Sequence, residues 1–173
     1  MGDLSLPERL YQQNPERFEK IPDKIYREIH SLTTLMCVDG YVKIRNGVLL
    51  VHRAEEPAKG IWWPLGGRRI RGLSRSNSII KAAKRETGLD VEIIEELGTE
   101  DVFFNTDPPW LGHGMGTDTT NTVYALKLID PDQEVIIDKT ISNSRIITPE
   151  EYDREKGSFH WYVEKYLPMV FSL

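Results

Sequence analysis

The chemistry-bearing stretch of this chain is Pro64 to Leu89, PLGGRRIRGLSRSNSIIKAAKRETGL. From Lys59 to Arg85 it carries eight cations (Lys59, Arg68, Arg69, Arg71, Arg75, Lys81, Lys84, Arg85) and no Asp or Glu. The rest of the chain holds 14 basic against 27 acidic residues, for a net charge of −5. A positive block on an acidic chain suits an anionic ligand, with a solvated basic helix face as the plainer reading. Arginines grip phosphate oxygens through paired, charge-assisted hydrogen bonds. Glu86 follows the block near the end of a predicted helix, where a carboxylate opposes the helix dipole. Such a placement points to metal ligation or arginine pairing.

The elements that must hold these groups follow from pattern. Residues 7 to 31 read as helical in two pieces, with Pro7 and Pro22 in first turns and Ile25, Ile29 and Leu32 on one packing face. Thr34 to Ile44 and Val48 to Arg53 read as antiparallel strands joined at Asn46-Gly47. Ser74 or Ser76 caps a helix that runs to Thr87 and stops at Gly88. Ile79, Ile80 and Ala83 give it a packing side, away from Lys81, Lys84 and Arg85. VEIIEELGTEDVFF and TTNTVYALKLI read as strands around the loop NTDPPWLGHGMGTD. SRIITPEEY is a strand turning into a helix capped by Thr148, and Ser158 to Phe171 is an aromatic-rich helix. Strands, a helix, more strands and closing helices predict an α/β (α+β) fold, a mixed sheet covered by helices.

At 173 residues one core is expected. The single cysteine, Cys37, lies in an apolar run, cannot form an internal disulfide and reads as buried rather than reactive. With no apolar leader and no run of membrane-spanning length, the expected location is cytoplasmic. Overall acidity and the lack of an aromatic-basic stripe argue against nucleic acid.

The order of elements and the stretch from GIWWPLGG to RETGL resemble the Nudix hydrolases, whose signature is G-x5-E-x7-R-E-U-x-E-E-x-G-U, with U aliphatic. Gly67 opens the match and Gly88-Leu89 close it without a gap. Leu73, Ala82 and Arg85 stand where the signature has carboxylates, so Glu86 alone remains of four. The resemblance implies an α/β/α sandwich, with an N-terminal helical arm over 1–32 and the Nudix domain over 33–173. It also implies Mg²⁺ held by helix carboxylates, here Glu86 with carbonyl help from Gly66 or Gly67, weakly without ligand.

Within the family the chain looks most like the GDP-mannose mannosyl hydrolases. It shares Arg53, Pro57, Ala58, Gly60, Trp62, Gly66, Gly67 and Arg68 of one pattern and the GTD turn of Gly116 to Asp118 of another. That likeness implies a nucleoside diphosphate sugar as substrate, with Arg53 and Arg68 on its diphosphate, and a homodimer joined through the arm. Counting back from RIITP puts the branch's Gln-His pair on Thr140 and Ile141, and neither is a base. His113 is the remaining candidate base. One of Trp62 and Trp63 should face the ligand by strand alternation, and Trp62 is assigned there. Asp118 is expected to orient a ligand hydroxyl, or else to satisfy its own turn. The alternative function is a binding protein that kept the pocket and lost the chemistry.

Overall fold

In the computed structural model, which describes residues 4–173, three short helices come first: α1 (Leu6–Gln13), α2 (Pro15–Glu19) and α3 (Asp23–Leu32). The expected arm of 1–32 therefore falls outside the described residues at positions 1–3. Pro15 opens an extra helix, so the arm has three pieces where two were expected. The face α3 buries also differs from expectation. Ile25 and Leu32 are 54% and 74% exposed, while Tyr26 and His30, one turn apart, turn inward.

Seven strands form one mixed sheet: β1 (Leu35–Ile44), β2 (Gly47–Arg53), β3 (Trp62–Trp63), β4 (Leu65–Arg68), β5 (Val91–Phe104), β6 (Thr117–Leu128) and β7 (Ile141–Ile147). The order is β3-β2-β1-β6-β5, with β4 also on β1 and β7 also on β2. Only the β1–β6 pair is parallel. The first hairpin pairs Ile44 with Gly47, so its turn is Arg45-Asn46, one residue before the expected Asn46-Gly47. Arg45 takes the positive φ, 56°.

Side chains alternate across β1 and so divide the core into two layers. Val38 and Val42 meet Ile79, Ala82 and Ala83 of α4 (Arg75–Thr87) on one face. Ser74 caps α4 by accepting the Asn77 N–H at 3.0 Å, and Gly88 ends it at φ 70°. The opposite face begins at Tyr41. There Tyr41, Val123 and Ala125 pack on Tyr162, Val163 and Tyr166 of α6 (Trp161–Phe171), beside α5 (Pro149–Glu155). The result is an α/β/α sandwich. Leu35, Cys37 and Asp39 share this second face but lie in a cavity beside the α6 cluster. That end of the sheet is where a ligand has room.

Candidate functional site

The cleft has a volume of about 230 Å³. Three strands floor it with alternate residues: Leu35, Cys37 and Asp39 of β1, Thr117, Thr119 and Asn121 of β6, and Gly66 and Arg68 of β4. Register explains the set, since Cys37 pairs with both Arg68 and Asn121, and Asp39 pairs with Gly66. Arg53, Trp63 and Phe104 form the wall, and Tyr26 and His30 of α3 reach in from the arm. Tyr26 stacks on Trp110 of the 105–116 loop, centroids 5.8 Å apart and planes 19° apart, so arm and loop meet at the cleft.

Asp39 is the buried acid of the cleft, 3% exposed. Its Oδ2 accepts from Asn121 Nδ2 at 2.5 Å and from the Tyr162 hydroxyl at 2.7 Å. Burial pushes its pKa up to about 6, against the opposing pull of these two donors and of Arg53. Its Oδ1 makes no hydrogen bond among the described residues. Asn121, whose amide nitrogen is committed to Asp39, keeps a buried Oδ1 with no partner among the described residues. One buried acceptor at the cleft floor, Asn121 Oδ1, is thus unpaired among the described residues.

Arg53 donates from Nε to the Pro57 carbonyl at 2.9 Å, which fixes its guanidinium at the cleft wall. Its charge also favours the ionised forms of Asp39 and Glu86. Arg68 lines the cleft too, but its terminal nitrogens donate to the carbonyls of Arg69 (3.1 Å), Phe18 (3.0 Å) and Glu19 (3.4 Å). It therefore ties the arm down as well as charging the cleft. Behind β4, Glu86 Oε2 accepts the Gly66 N–H at 3.1 Å, and Oε1 lies 2.5 Å from Arg85 Nη2. Burial raises the Glu86 pKa, and Arg85 opposes the rise.

No family model matches the chain. Among curated proteins, the low-salt glycan biosynthesis protein Agl8 of Haloferax volcanii is 30% identical over 151 residues, spanning 86% of this chain and 89% of that one. Among solved structures, a Nudix hydrolase from Nitrosomonas europaea superposes with a TM-score of 0.59 at 18% identity, over 80% of this chain and 73% of that one. The Nudix domain of Shewanella oneidensis NrtR, solved with ADP ribose, gives 0.59 at 18% identity over 90% and 97%. A bifunctional NMN adenylyltransferase/ADP ribose pyrophosphatase from Francisella tularensis, solved with AMP and a manganese ion, gives 0.60 at 15% identity over 95% and 49%.

The chain belongs to one family with Agl8, and its fold is that of the Nudix hydrolases. The stretch that resembles the Nudix signature, Gly67 to Leu89, runs through the end of β4 and the whole of α4. Among the described residues no group of three or more His, Cys, Asp or Glu could hold a metal ion, and no helix is long and apolar enough to cross a membrane.

Of the site residues expected from sequence, the cleft collects Arg53, Arg68, Gly66 and Gly67, with Glu86 bonded to Gly66 from behind. Three others lie elsewhere. Trp62 is half-buried outside the cleft, against His52 and beneath the Arg145 guanidinium, and Trp63 takes the cleft position. Alternation along β3 therefore turns Trp63, and not Trp62, toward the cleft. Asp118 already belongs to β6, where it accepts from Thr34 Oγ1 at 2.9 Å and pins the arm junction. His113 does not line the cleft. Its Nδ1 accepts the Met115 N–H at 3.1 Å, so its Nε2–H donates to His30 Nδ1 at 2.8 Å. One nitrogen braces the loop internally and the other joins it to the arm, which leaves no lone pair for a substrate proton. Cys37 sits in the floor with its thiol pushed up to about 12 by burial, so it stays protonated.

Asp39 and Asn121 are among the cleft residues not singled out from sequence, and Trp63 takes the place assigned to Trp62. A lone acid inside the apolar run TLMCVDGYV was the available signal for the first. Gly66 shows how tightly this corner is built, since an added Cβ would collide with Asp39 Oδ1 and the Val38 carbonyl. Gly66→Ala is expected to cost about 1–3 kcal/mol, the range for overpacking. A urea titration of the variant beside the native chain measures it.

Proposed function

We propose that this protein hydrolyses a nucleoside diphosphate derivative, with nucleotide sugars of the GDP-mannose type nearest. The observation that carries the reading is the placement, in one cleft, of the Arg53 guanidinium and a buried carboxyl, Asp39, whose pKa burial pushes up to about 6. Arg53, beside the Gly66-Gly67 corner, receives the diphosphate. Asn121 Oδ1 accepts from a ligand hydroxyl or amine. Ionised Asp39 takes a proton from water as the water oxygen bonds to the ligand and a phosphate ester or anhydride oxygen leaves. Asp39 replaces His113 as the base in this reading. The family relationship to Agl8, a protein named for glycan biosynthesis, favours a sugar-bearing substrate. A homodimer joined through the arm belongs to the same reading, supported by the exposed Leu6, Leu10, Ile25 and Leu32.

The box residues do not fit a resident Mg²⁺. Glu86 is the only box carboxylate, and both of its oxygens are engaged, by Arg85 and by the Gly66 N–H. The Gly66 carbonyl, the expected second donor, already accepts from Arg85 Nη2 at 3.4 Å. A second reading, a binding protein without turnover, draws on the same pairing, because no box carboxylate is left free.

The test is incubation of the purified protein with GDP-mannose, other nucleotide sugars and ADP ribose, with products resolved by anion-exchange chromatography. Release of nucleotide supports the hydrolase. Saturable binding without product supports the second reading and removes the first.

A further inference from the structure

We propose that the Arg85 guanidinium fills the place of a metal ion between Glu86 and the Gly66 carbonyl, so that this protein binds diphosphate ligands without a divalent cation. The proposal rests on the nucleoside diphosphate reading above and concerns where that site gets its positive charge.

The geometry supplies the first argument. One nitrogen, Arg85 Nη2, lies 2.5 Å from Glu86 Oε1 and 3.4 Å from the Gly66 oxygen. Those are the carboxylate and the carbonyl that the box would offer to an ion. A cation placed between two such oxygens does electrostatically what an ion does there, and it is covalently part of the chain. The nearest atom to a Cβ built on Gly67 is again Arg85 Nη2, at 3.5 Å, so the guanidinium lies against the glycine pair. Gly66 and Gly67 line the cleft, which puts Arg85 at its edge.

Charge supplies the second argument. Several helix carboxylates need an ion because their negative charges repel one another and the ligand phosphates. Here Leu73, Ala82 and Arg85 replace three of the four box carboxylates. Ala82 is 3% exposed and packs with Ile79 against the sheet, so that side of α4 is spent on the core. Glu86 is neutralised by Arg85, and Lys81 and Lys84 add further positive charge on the same helix. Without any ion, the box already presents net positive charge.

Room for an anion supplies the third. Arg85 has about half of its side chain exposed, at 51%. It borders a second cavity with Arg68, Lys81, Lys84 and Glu19. Arg68 lines this cavity and the cleft alike, so the two adjoin at its side chain. Nη2 is used by Glu86 and Gly66, and Nε and Nη1 make no hydrogen bond among the described residues. A guanidinium carries five donors, so these remain for phosphate oxygens.

The experiment measures binding of GDP-mannose and ADP ribose by calorimetry, in excess Mg²⁺ and in EDTA. It uses the full chain and the variants Arg85→Gln and Arg85→Glu, with circular dichroism to check folding. Native protein is expected to bind with similar affinity in both buffers. Arg85→Gln should weaken binding about tenfold or more in both, the loss expected for a charge-assisted contact. Arg85→Glu should lose binding in EDTA and regain it in Mg²⁺. It should also take up Mn²⁺, seen as loss of the free-ion signal in electron paramagnetic resonance, where native protein leaves that signal unchanged. Native binding that needs Mg²⁺, or Arg85→Gln binding as tightly as native in EDTA, overturns the proposal and leaves the nucleotide reading standing. No binding of either probe in either buffer overturns both.

Discussion

Asp39→Asn should lower turnover of the active substrate about a hundredfold or more, the usual range for loss of a positioned general base. The variant keeps its local bonds, because an amide oxygen can still accept from Asn121 Nδ2 and from the Tyr162 hydroxyl. What it loses is the ability to take a proton. In the native protein activity should rise with pH through about 6, where Asp39 ionises. Tyr162→Phe removes one donor to the ionised carboxylate, so that limb should move to higher pH.

Stability should move the other way. The folded-state pKa of Asp39 is raised from 3.8 to about 6, so the native state holds this proton more tightly than the unfolded chain does. Its contribution is therefore fully present below pH 3.8 and is lost as pH rises through about 6. The loss is on the order of 3 kcal/mol at about 1.4 kcal/mol per pKa unit. Asp39→Asn removes that dependence, so above pH 7 the inactive variant should be at least as stable as the native protein. Urea titrations at pH 5 and pH 8 beside rate measurements check both halves. A variant that is inactive because it is unfolded would sink the assignment of Asp39 as the base.

Trp63→Ala has the largest expected effect on stability. Trp63 is 5% exposed and lies flat on Tyr162, centroids 4.9 Å apart and planes 8° apart. Phe104 and His160 meet it edge-on at 5.5 Å and 5.2 Å. Truncating a buried aromatic of this kind costs about 3–5 kcal/mol, a large share of the about 5–15 kcal/mol that holds a domain folded. The damage should reach the chemistry, because Tyr162 carries a hydrogen bond to Asp39. Trp63→Phe keeps a ring on Tyr162 and should recover most of the stability. Thermal melts of the two variants measure the first effect, and the pH profile of Trp63→Phe reports the second.

The helix from Ser74 to Gly88 shows what local pattern can carry. Its cap, its apolar side and its glycine stop are all short-range features, and the structure keeps each of them. The strand VEIIEELGTEDVFF likewise spans the whole of β5, Val91 to Phe104. The arm shows the limit. Spacing alone placed Ile25 and Leu32 inward, but the contacts available to α3 are the Trp110 ring and the His113 imidazole, and these select Tyr26 and His30.

By itself, the sequence determined the element types, the mixed sheet covered by helices and the glycine corner, because these are written in local periodicity and turn chemistry; the two arginines and the three missing carboxylates were legible only through the resemblance to a family signature. Only the tertiary structure decided which groups meet. The parallel pairing of β1 with β6 brings Asn121 beside Cys37 and Asp39, although the strands are far apart in the chain. That pairing buries Asp39 and raises its pKa, and no local signal encodes a long-range register. The same holds at the box. Arg85 and Glu86 were visible as neighbours, but their contact with the Gly66 backbone appears only when α4 closes on β4, where Arg85 Nη2 sits between Glu86 Oε1 and the Gly66 carbonyl.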